Sequence, residues 1–294
     1  MNRKDRCEVE KPRYNDRIQV EALLERRGLS LKKRFGQNFL IDESVRRRLA
    51  EAVPPAAGGE IWEIGPGIGS LTELLRPKAE RLVLFELDHG FADFLEEIYP
   101  LGTGIEIVRG DFLKTGIPLL EAGNVPRTIT GNLPYSSGSA MIYKILEVGG
   151  IPETMVFTLQ REVADRMISR PGGKDYSQLS LVCSFSVDIE KLFDIGWASF
   201  NPVPGVTSSV VRMHRHDRFG FVPDRRVFFQ AAKDLFRARR KTIKNNLSGG
   251  ILASRFGKER VLTCAEEAGI RLSDRGENLA VETVAHFAAR LSGA

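Results

Sequence analysis

The residues of this chain best suited to chemistry are Gly131-Asn132-Leu133-Pro134-Tyr135. A side-chain amide, a proline and an aromatic ring follow a β-prone run, Thr128-Ile129-Thr130, and precede a helix-like segment that starts near Ser139. Loops of this kind lie beyond the carboxyl ends of strands, where open α/β sheets bind and transform ligands. The chemistry they suit is alkylation of an exocyclic amine on a nucleobase. The lone pair of an adenine N6 amine is delocalised into the ring, so it attacks poorly. Two acceptors on its N–H groups favour a pyramidal nitrogen and free that lone pair. The Asn132 side-chain oxygen and the carbonyl of Leu133 or Pro134 could be those acceptors, with Tyr135 stacked on the base. Stacking of about 1–3 kcal/mol would hold the base, and the acceptors would orient the reacting atom. No strong general base is needed, because the attacked nitrogen becomes acidic as the methyl transfers; orientation and electrostatics carry the rate. The competing reading is an ordinary β-turn, since Asn and Pro both favour turns.

What lies upstream weighs against a mere turn. Glu63-Ile64-Gly65-Pro66-Gly67-Ile68-Gly69 follows a strand-like run and opens a helical pattern at Ser70. Gly65 and Gly67 allow a tight turn and a close approach of backbone to ligand. Glu86 ends the next strand-like run 21 residues after Gly65, the spacing of an acid that accepts hydrogen bonds from ribose hydroxyls. Asp111, after Gly110, ends a third run, where a carboxylate could accept from an adenine amino group. A nucleoside-containing cofactor follows, and S-adenosyl-L-methionine fits better than NAD. No hydride-transfer dyad is evident among His89, His214, His216 and His286. Only His89 lies near the cofactor edge, and it reads better as a surface helix start.

The elements that must position these residues show α/β alternation. Strands are predicted at Glu60–Ile64, Leu82–Phe85, Ile105–Val108, Thr128–Thr130 and Thr154–Thr158, with helices starting near Ser70, His89, Ser139 and Arg161. Continuous apolar runs such as Leu82-Val83-Leu84-Phe85 suit parallel strands buried on both faces. Asp42 is a good N-cap for a helix over Glu43–Ala52, stopped by Pro54-Pro55. Residues up to about 17 read as a flexible extension, followed by a helix over Ile18–Arg27 that Gly28 ends. Ser177–Val187 could be helix or strand. Val206–Met213 reads as a strand that closes the sheet at its far side, antiparallel. Beyond His216 the pattern is helical: Arg226–Arg240, Thr242–Leu247, Lys258–Ala268 and Val281–Leu291. The expected organisation is an extension with a short helix over 1–30, a catalytic domain over 31–216 and a helical RNA-binding domain over 217–294.

Composition sets the bounds. The 294 residues carry a net charge of +5 and a pI of about 9.1, compatible with a nucleic-acid partner without requiring one. No apolar run approaches the length of a membrane span, and the N-terminus lacks a signal-peptide h-region. Cys7, Cys183 and Cys264 are odd in number and far apart, so neither a zinc site nor a disulfide framework is indicated. No metal, a cytoplasmic location and a monomer are expected. Arg237, Arg239, Arg240, Lys241 and Lys244 place five cations within Phe236–Lys244. Lys32, Lys33 and Arg34 form a second cluster. Either could be a solvated face; beside a base-modifying site they read as contacts to RNA phosphates.

In this order the motifs resemble the ribosomal small-subunit RNA adenine N6,N6-dimethyltransferase family over roughly residues 31 to 291. The resembling segments are Lys33 to Leu40, Glu63 to Gly69, Glu86-Leu87-Asp88, Gly110-Asp111 and Asn132 to Tyr135. Downstream come Gln160 to Ala164, Phe200 to Pro204, Arg239 to Thr242 and Arg275 to Leu279. The resemblance implies a Rossmann-like class I methyltransferase sheet with a small C-terminal helical domain. It implies donor contacts from Asn38, Leu40, Gly65, Glu86, Asp111 and Asn132, and a target base stacked by Phe200 opposite Tyr135. The reaction implied is dimethylation of two adjacent adenosines near the 3′ end of 16S rRNA in the small ribosomal subunit, with a part in subunit maturation. Ser136-Ser137-Gly138-Ser139 departs from the Asn-Ile-Ser-Thr more usual there. The neighbouring alternative is a large-subunit rRNA adenine methyltransferase of the antibiotic-resistance type, which more often reads Asn-Ile-Pro-Tyr; a DNA adenine methyltransferase would prefer Asp-Pro-Pro-Tyr.

Overall fold

Five of the seven strands in the main sheet fall where alternation predicts them, each longer than its apolar kernel. The structure is a computed structural model and describes residues 11–29 and 38–293. Helix α1 (Arg17–Arg26) begins at Asp16, whose carboxylate accepts from the Ile18 and Gln19 N–H groups. A two-residue strand, β1 (Phe39–Leu40), leads into α2 (Glu43–Ala52), capped by Asp42 as the sequence predicts. Then follow β2 (Ala56–Ile64), α3 (Thr72–Leu75), β3 (Ala79–Glu86), α4 (His89–Ile98), β4 (Ile105–Arg109), α5 (Phe112–Glu121), β5 (Thr128–Asn132), α6 (Gly138–Val148), β6 (Thr154–Gln160) and α7 (Arg161–Met167). Next come α8 (Gln178–Ser186), β7 (Val187–Ile195), β8 (Phe200–Asn201) and β9 (Ser208–Arg215).

The seven-stranded sheet has the order β4-β3-β2-β5-β6-β9-β7, and β2 runs parallel to both β3 and β5. The chain works outward from β2 to β4, then returns to place β5 on the other side of β2. This reversal makes a topological switch point at the carboxyl ends of β2 and β5, where open sheets hold ligands. Gly131 is needed for the two strands to meet: a Cβ there would lie 2.4 Å from the Ile64 carbonyl oxygen. Gly131→Ala is therefore expected to lower the thermal midpoint, or to leave the chain unfolded, as read by calorimetry.

Several expectations are corrected. The sheet ends on β7, not on the strand predicted at Val206–Met213; that strand, β9, lies between β6 and β7. Charged residues throughout Val187–Ile195 hide β7 from an apolar search. Helix α5 was not expected, because Gly116 and Pro118 sit inside it. Ser177–Val187 resolves to helix α8, started by a reciprocal Ser177–Ser180 capping box. Read as part of a flexible extension, Tyr14 is instead 4% exposed and packs with Val20, Leu23, Leu24 and Phe91.

Contacts divide the chain into two compact units: Met1–Met141, Pro152–Arg161 and Lys191–Arg212 form the first, and Ile142–Ile151, Glu162–Glu190 and Met213–Ala294 the second. The second unit thus takes in residues well before 217. It contains α9 (Arg225–Leu235), α10 (Ile243–Ser248), α11 (Ile251–Phe256), α12 (Lys258–Glu267) and α13 (Val281–Ser292), with α9 packed on α8, α10, α11 and α13. Helix α9 stops five residues short of the predicted Arg240. The buried Asp234 carboxylate accepts from the Ile251 and Leu252 N–H groups, and the Asn246 amide donates to the Leu235 and Ala238 carbonyls. These bonds fold residues 236–241 into a connector, so Arg237, Arg239, Arg240 and Lys241 lie on a turn and only Lys244 on a helix, α10.

Candidate active site

Strand β5 delivers Asn132 to the switch point, and the loop after it is fixed bond by bond. The Leu133 N–H donates to the Thr158 carbonyl of β6 at 3.2 Å, and the Leu133 side chain is buried. The Pro134 carbonyl already accepts from the Ser137 and Gly138 N–H groups at 3.2 and 2.8 Å. Among the described residues nothing donates to the Leu133 carbonyl. Of the two carbonyls the sequence left open, that of Leu133 is therefore the one still available to accept. Tyr135 is half-buried, its hydroxyl 2.5 Å from the Ser208 Oγ at the start of β9. Burial raises its pKa, so the ring stays neutral.

The Asn132 side chain is oriented by one bond: its Nδ2 donates to the Asn38 carbonyl at 2.7 Å. Its Oδ1 is buried and, among the described residues, has no hydrogen-bond partner. Buried acceptors are rarely left unmade, because desolvation then goes uncompensated, at a cost of about 1–3 kcal/mol. An unpaired Oδ1, aimed by the amide's other end, is an acceptor waiting for an N–H group.

Around it lie two cavities. The first is lined by Asn38, Leu40, Gly65, Gly67, Glu86 and Asn132, among others. Gly65 adopts φ +69 and a Cβ there would meet nothing within 4 Å, so the glycine opens the cavity floor. Gly67 has φ +58, and a Cβ would come within 2.6 Å of the Phe39 ring. The second is lined by Phe85, Leu87, Asp111, Leu113, Pro134 and Met141, among others, and shares Glu86 and Pro134 with the first. Leu87 and Leu113 were missed from sequence; an apolar residue directly after the ribose acid is the signal that could have found Leu87. His89 is exposed at the start of α4.

The acids are positioned rather than free. Glu86 is buried, its Oε2 accepting from the Gly67 N–H and its Oε1 from the Asp88 N–H. Burial pushes its carboxyl up to about 7 against the pull of those N–H groups. Glu63 accepts from the Thr72 hydroxyl, and burial pushes it up to about 8. Asp111 caps α5 by accepting from the Leu113 N–H. For Glu63 and Glu86 the folded pKa lies above the ordinary carboxylate value of 4.5. Their contribution to stability is thus fully present below that value and is lost as pH rises through about 7 to 8. The ligand-free thermal midpoint is expected to fall between pH 5 and 8, and Glu63→Gln to reduce that fall. An unchanged slope in the variant would contradict this account.

Some expected site residues lie elsewhere. Phe200 is 1% exposed and does not line either cavity. The pairing of β8 with β1 sets Phe200 opposite Leu40, and its ring packs into the core with Leu40, Leu49 and Val53. Lys32, Lys33 and Arg34 lie outside the described residues. In the second unit Arg240, Lys241 and Lys244 are exposed. Arg239 donates to the Glu277 carboxylate and the Lys174 carbonyl, and Arg237 to the Gly249 carbonyl, so both also hold the unit together.

The parallel sheet with its glycine turn and acid-lined cavities is that of the Rossmann-like methyltransferases. It superposes on a crystal structure of a dimethyladenosine transferase from Plasmodium falciparum with a TM-score of 0.70, at 21% identity, covering 84% of this chain and 94% of that one. A model of the family described as ribosomal RNA adenine dimethylase matches residues 28–291. A relative in Treponema denticola named ribosomal RNA small subunit methyltransferase A is 35% identical over 92% of each chain. One of the same name in Streptococcus pneumoniae is 33% identical over 96% of this chain and 99% of its own. The chain belongs to the ribosomal RNA adenine dimethylase family and is an rRNA adenine dimethyltransferase.

Proposed function

We propose that the enzyme uses S-adenosyl-L-methionine to dimethylate N6 of two adjacent adenosines near the 3′ end of 16S rRNA, within small ribosomal subunits during their maturation. The observation that carries the transfer chemistry is the unpaired Asn132 Oδ1 beside the Leu133 carbonyl. The small-subunit substrate is supported by the names of the relatives in Treponema denticola and Streptococcus pneumoniae. We also read the bulk of residues 31–216 as the catalytic part and the C-terminal helices as the RNA grip.

The residues fit the donor. When bound, S-adenosyl-L-methionine supplies an electrophilic methyl group on a sulfonium. Glu86, already oriented by two backbone N–H groups, keeps lone pairs for ribose hydroxyls. Gly65 and Gly67 leave backbone rather than side chain facing the cavity. Asn38 and Leu40 complete its wall, and Asp111 with Leu87 and Leu113 forms a place for the adenine. Asn132 Oδ1 and the Leu133 carbonyl then accept the two N–H groups of the target N6, turning its lone pair toward the donor side. Tyr135 presents its ring to the base while Ser208 holds the hydroxyl. The target must be unstacked to reach Asn132, so it lies in a single-stranded or loop region. After the first methyl, one N–H remains to be accepted.

Incubation with labelled S-adenosyl-L-methionine and unmethylated small subunits, followed by nuclease digestion and mass spectrometry, should give dimethyladenosine. Its absence, or its appearance only in free large-subunit RNA, would overturn the substrate assignment. Glu86→Ala is expected to raise KM for the donor at least tenfold with little change in KM for RNA, since two hydrogen bonds to a charged acceptor are lost. Replacing Arg240, Lys241 and Lys244 together by Gln is expected to weaken RNA binding and to reduce the slope of log Kd against log salt by about 2–3, if each releases roughly one counterion.

A further inference from the structure

We propose that Trp197 is a stacking platform for an unpaired nucleotide next to the target adenosine. The inference rests on the rRNA activity and adds a substrate-positioning residue to it. The described residues include two tryptophans with opposite environments: Trp62 is 2% exposed, whereas Trp197 is 59% exposed. Among the described phenylalanines, tyrosines and tryptophans of the first unit, Trp197 is the one that is exposed. Leaving an indole in water forgoes most of what burying so large an apolar surface would give, and no core packing explains it.

Its mounting ties it to the transfer site. Trp197 begins a single turn of 3-10 helix, Trp197–Ser199, that runs into β8. The Ser199 carbonyl accepts from the Ile41 and Asp42 N–H groups, and the Ser199 hydroxyl donates to Asp42 Oδ2. Strand β8 then pairs with β1, whose Phe39 and Leu40 line the donor cavity and whose neighbour Asn38 holds the Asn132 amide. The far end of the same loop is tied at Ser208 to Tyr135. Residues 197–208 are thus pinned at both ends to the loop and strand that build the site, and between the pins Val203 and Val206 are 47% and 45% exposed. A solvent-facing indole on a segment tied down at Ser199 and Ser208 suits the face of a nucleobase, which an aromatic side chain holds without regard to sequence. Phe200, buried three residues later, is not available for that contact.

The test compares Trp197→Ala and Trp197→Phe on the RNA that the wild-type enzyme methylates, small subunits by the proposal above or large-subunit RNA otherwise. A wrong substrate and a wrong role for Trp197 then give different results. Trp197→Ala is expected to raise KM for RNA about 5- to 150-fold, the range that base–aromatic stacking commands. KM for the methyl donor and the thermal midpoint should not move, and Trp197→Phe should recover most of the loss. RNA should also quench the wild-type fluorescence more than that of Trp197→Phe, in which only the buried Trp62 remains. Equal KM for RNA in wild type and Trp197→Ala, or an equal rise in both KM values, overturns the proposal. So does photo-crosslinking from Trp197→p-benzoylphenylalanine that captures a ribosomal protein in place of RNA.

Discussion

Asn132→Ala is expected to lower methyl transfer about 10²–10³-fold, the size of effect seen when one preorganised hydrogen-bonding group is removed from a transition state. The side chain has a divided role. Its Nδ2 is spent on the Asn38 carbonyl, which fixes the plane of the amide. Its Oδ1 is buried and unpaired, so its desolvation is already complete before substrate arrives. The bond it makes to N6 strengthens as the nitrogen develops positive charge, which is why the loss should fall on kcat more than on KM. RNA affinity should stay within a few-fold of wild type if, as proposed, the grip lies with the cations and the stacking rings. Single-turnover rates and filter binding on the same subunits separate the two quantities. A variant that loses binding as much as rate would place Asn132 in recognition rather than catalysis. Asn132→Asp is not a conservative control: it keeps the acceptor but sets a carboxylate against the Asn38 carbonyl.

Phe200→Ala is expected to have a large effect on stability. The ring is 1% exposed and packs with Leu40, Leu49, Val53 and Val210. Deleting a buried phenyl ring leaves a cavity as well as losing transfer energy, typically about 3–5 kcal/mol. For a chain of this size that corresponds to roughly 10 °C in thermal midpoint. Because Leu40 faces Phe200 across the β1–β8 pair, the cavity would open beside the donor site, and donor affinity should fall with stability. Phe200→Leu distinguishes packing from base stacking. A core role predicts that leucine restores most of the midpoint and most of the transfer rate. A stacking role, which requires the ring to leave the core, predicts a normal midpoint with weakened RNA binding. Calorimetry with KM for RNA on both variants decides between them.

Much of the site was legible because its parts are local. A glycine turn after a strand, an acid at the end of the next strand and an amide-proline-aromatic loop are each written in a few consecutive residues. Gly65, Glu86 and Asn132 line one cavity because parallel strands all end on the same side of the sheet. The weaker expectations failed where local pattern and tertiary context disagree. The helix over Arg226–Arg240 has good helical residues throughout, yet Asp234 and Asn246 make long-range bonds that end it at Leu235. Strand β7 is charged enough to look like a loop and is a strand because β9 supplies its partner.

By itself the sequence determined the class of sheet, the residues at its switch point and the family, since these depend on periodicity and on short motifs with fixed spacing. Only the tertiary structure decided which acceptors the site can offer. Asn38, far away in the chain, takes one end of the Asn132 amide and leaves its Oδ1 without a partner among the described residues. The turn consumes the Pro134 carbonyl and, among the described residues, leaves that of Leu133 without a donor. Phe200 is core and Trp197 is surface although three residues separate them, because burial is set by the β1–β8 pairing and not by side-chain chemistry. Hydrogen bonds are satisfied by whichever groups folding brings together, and a sequence names the groups without naming the partners.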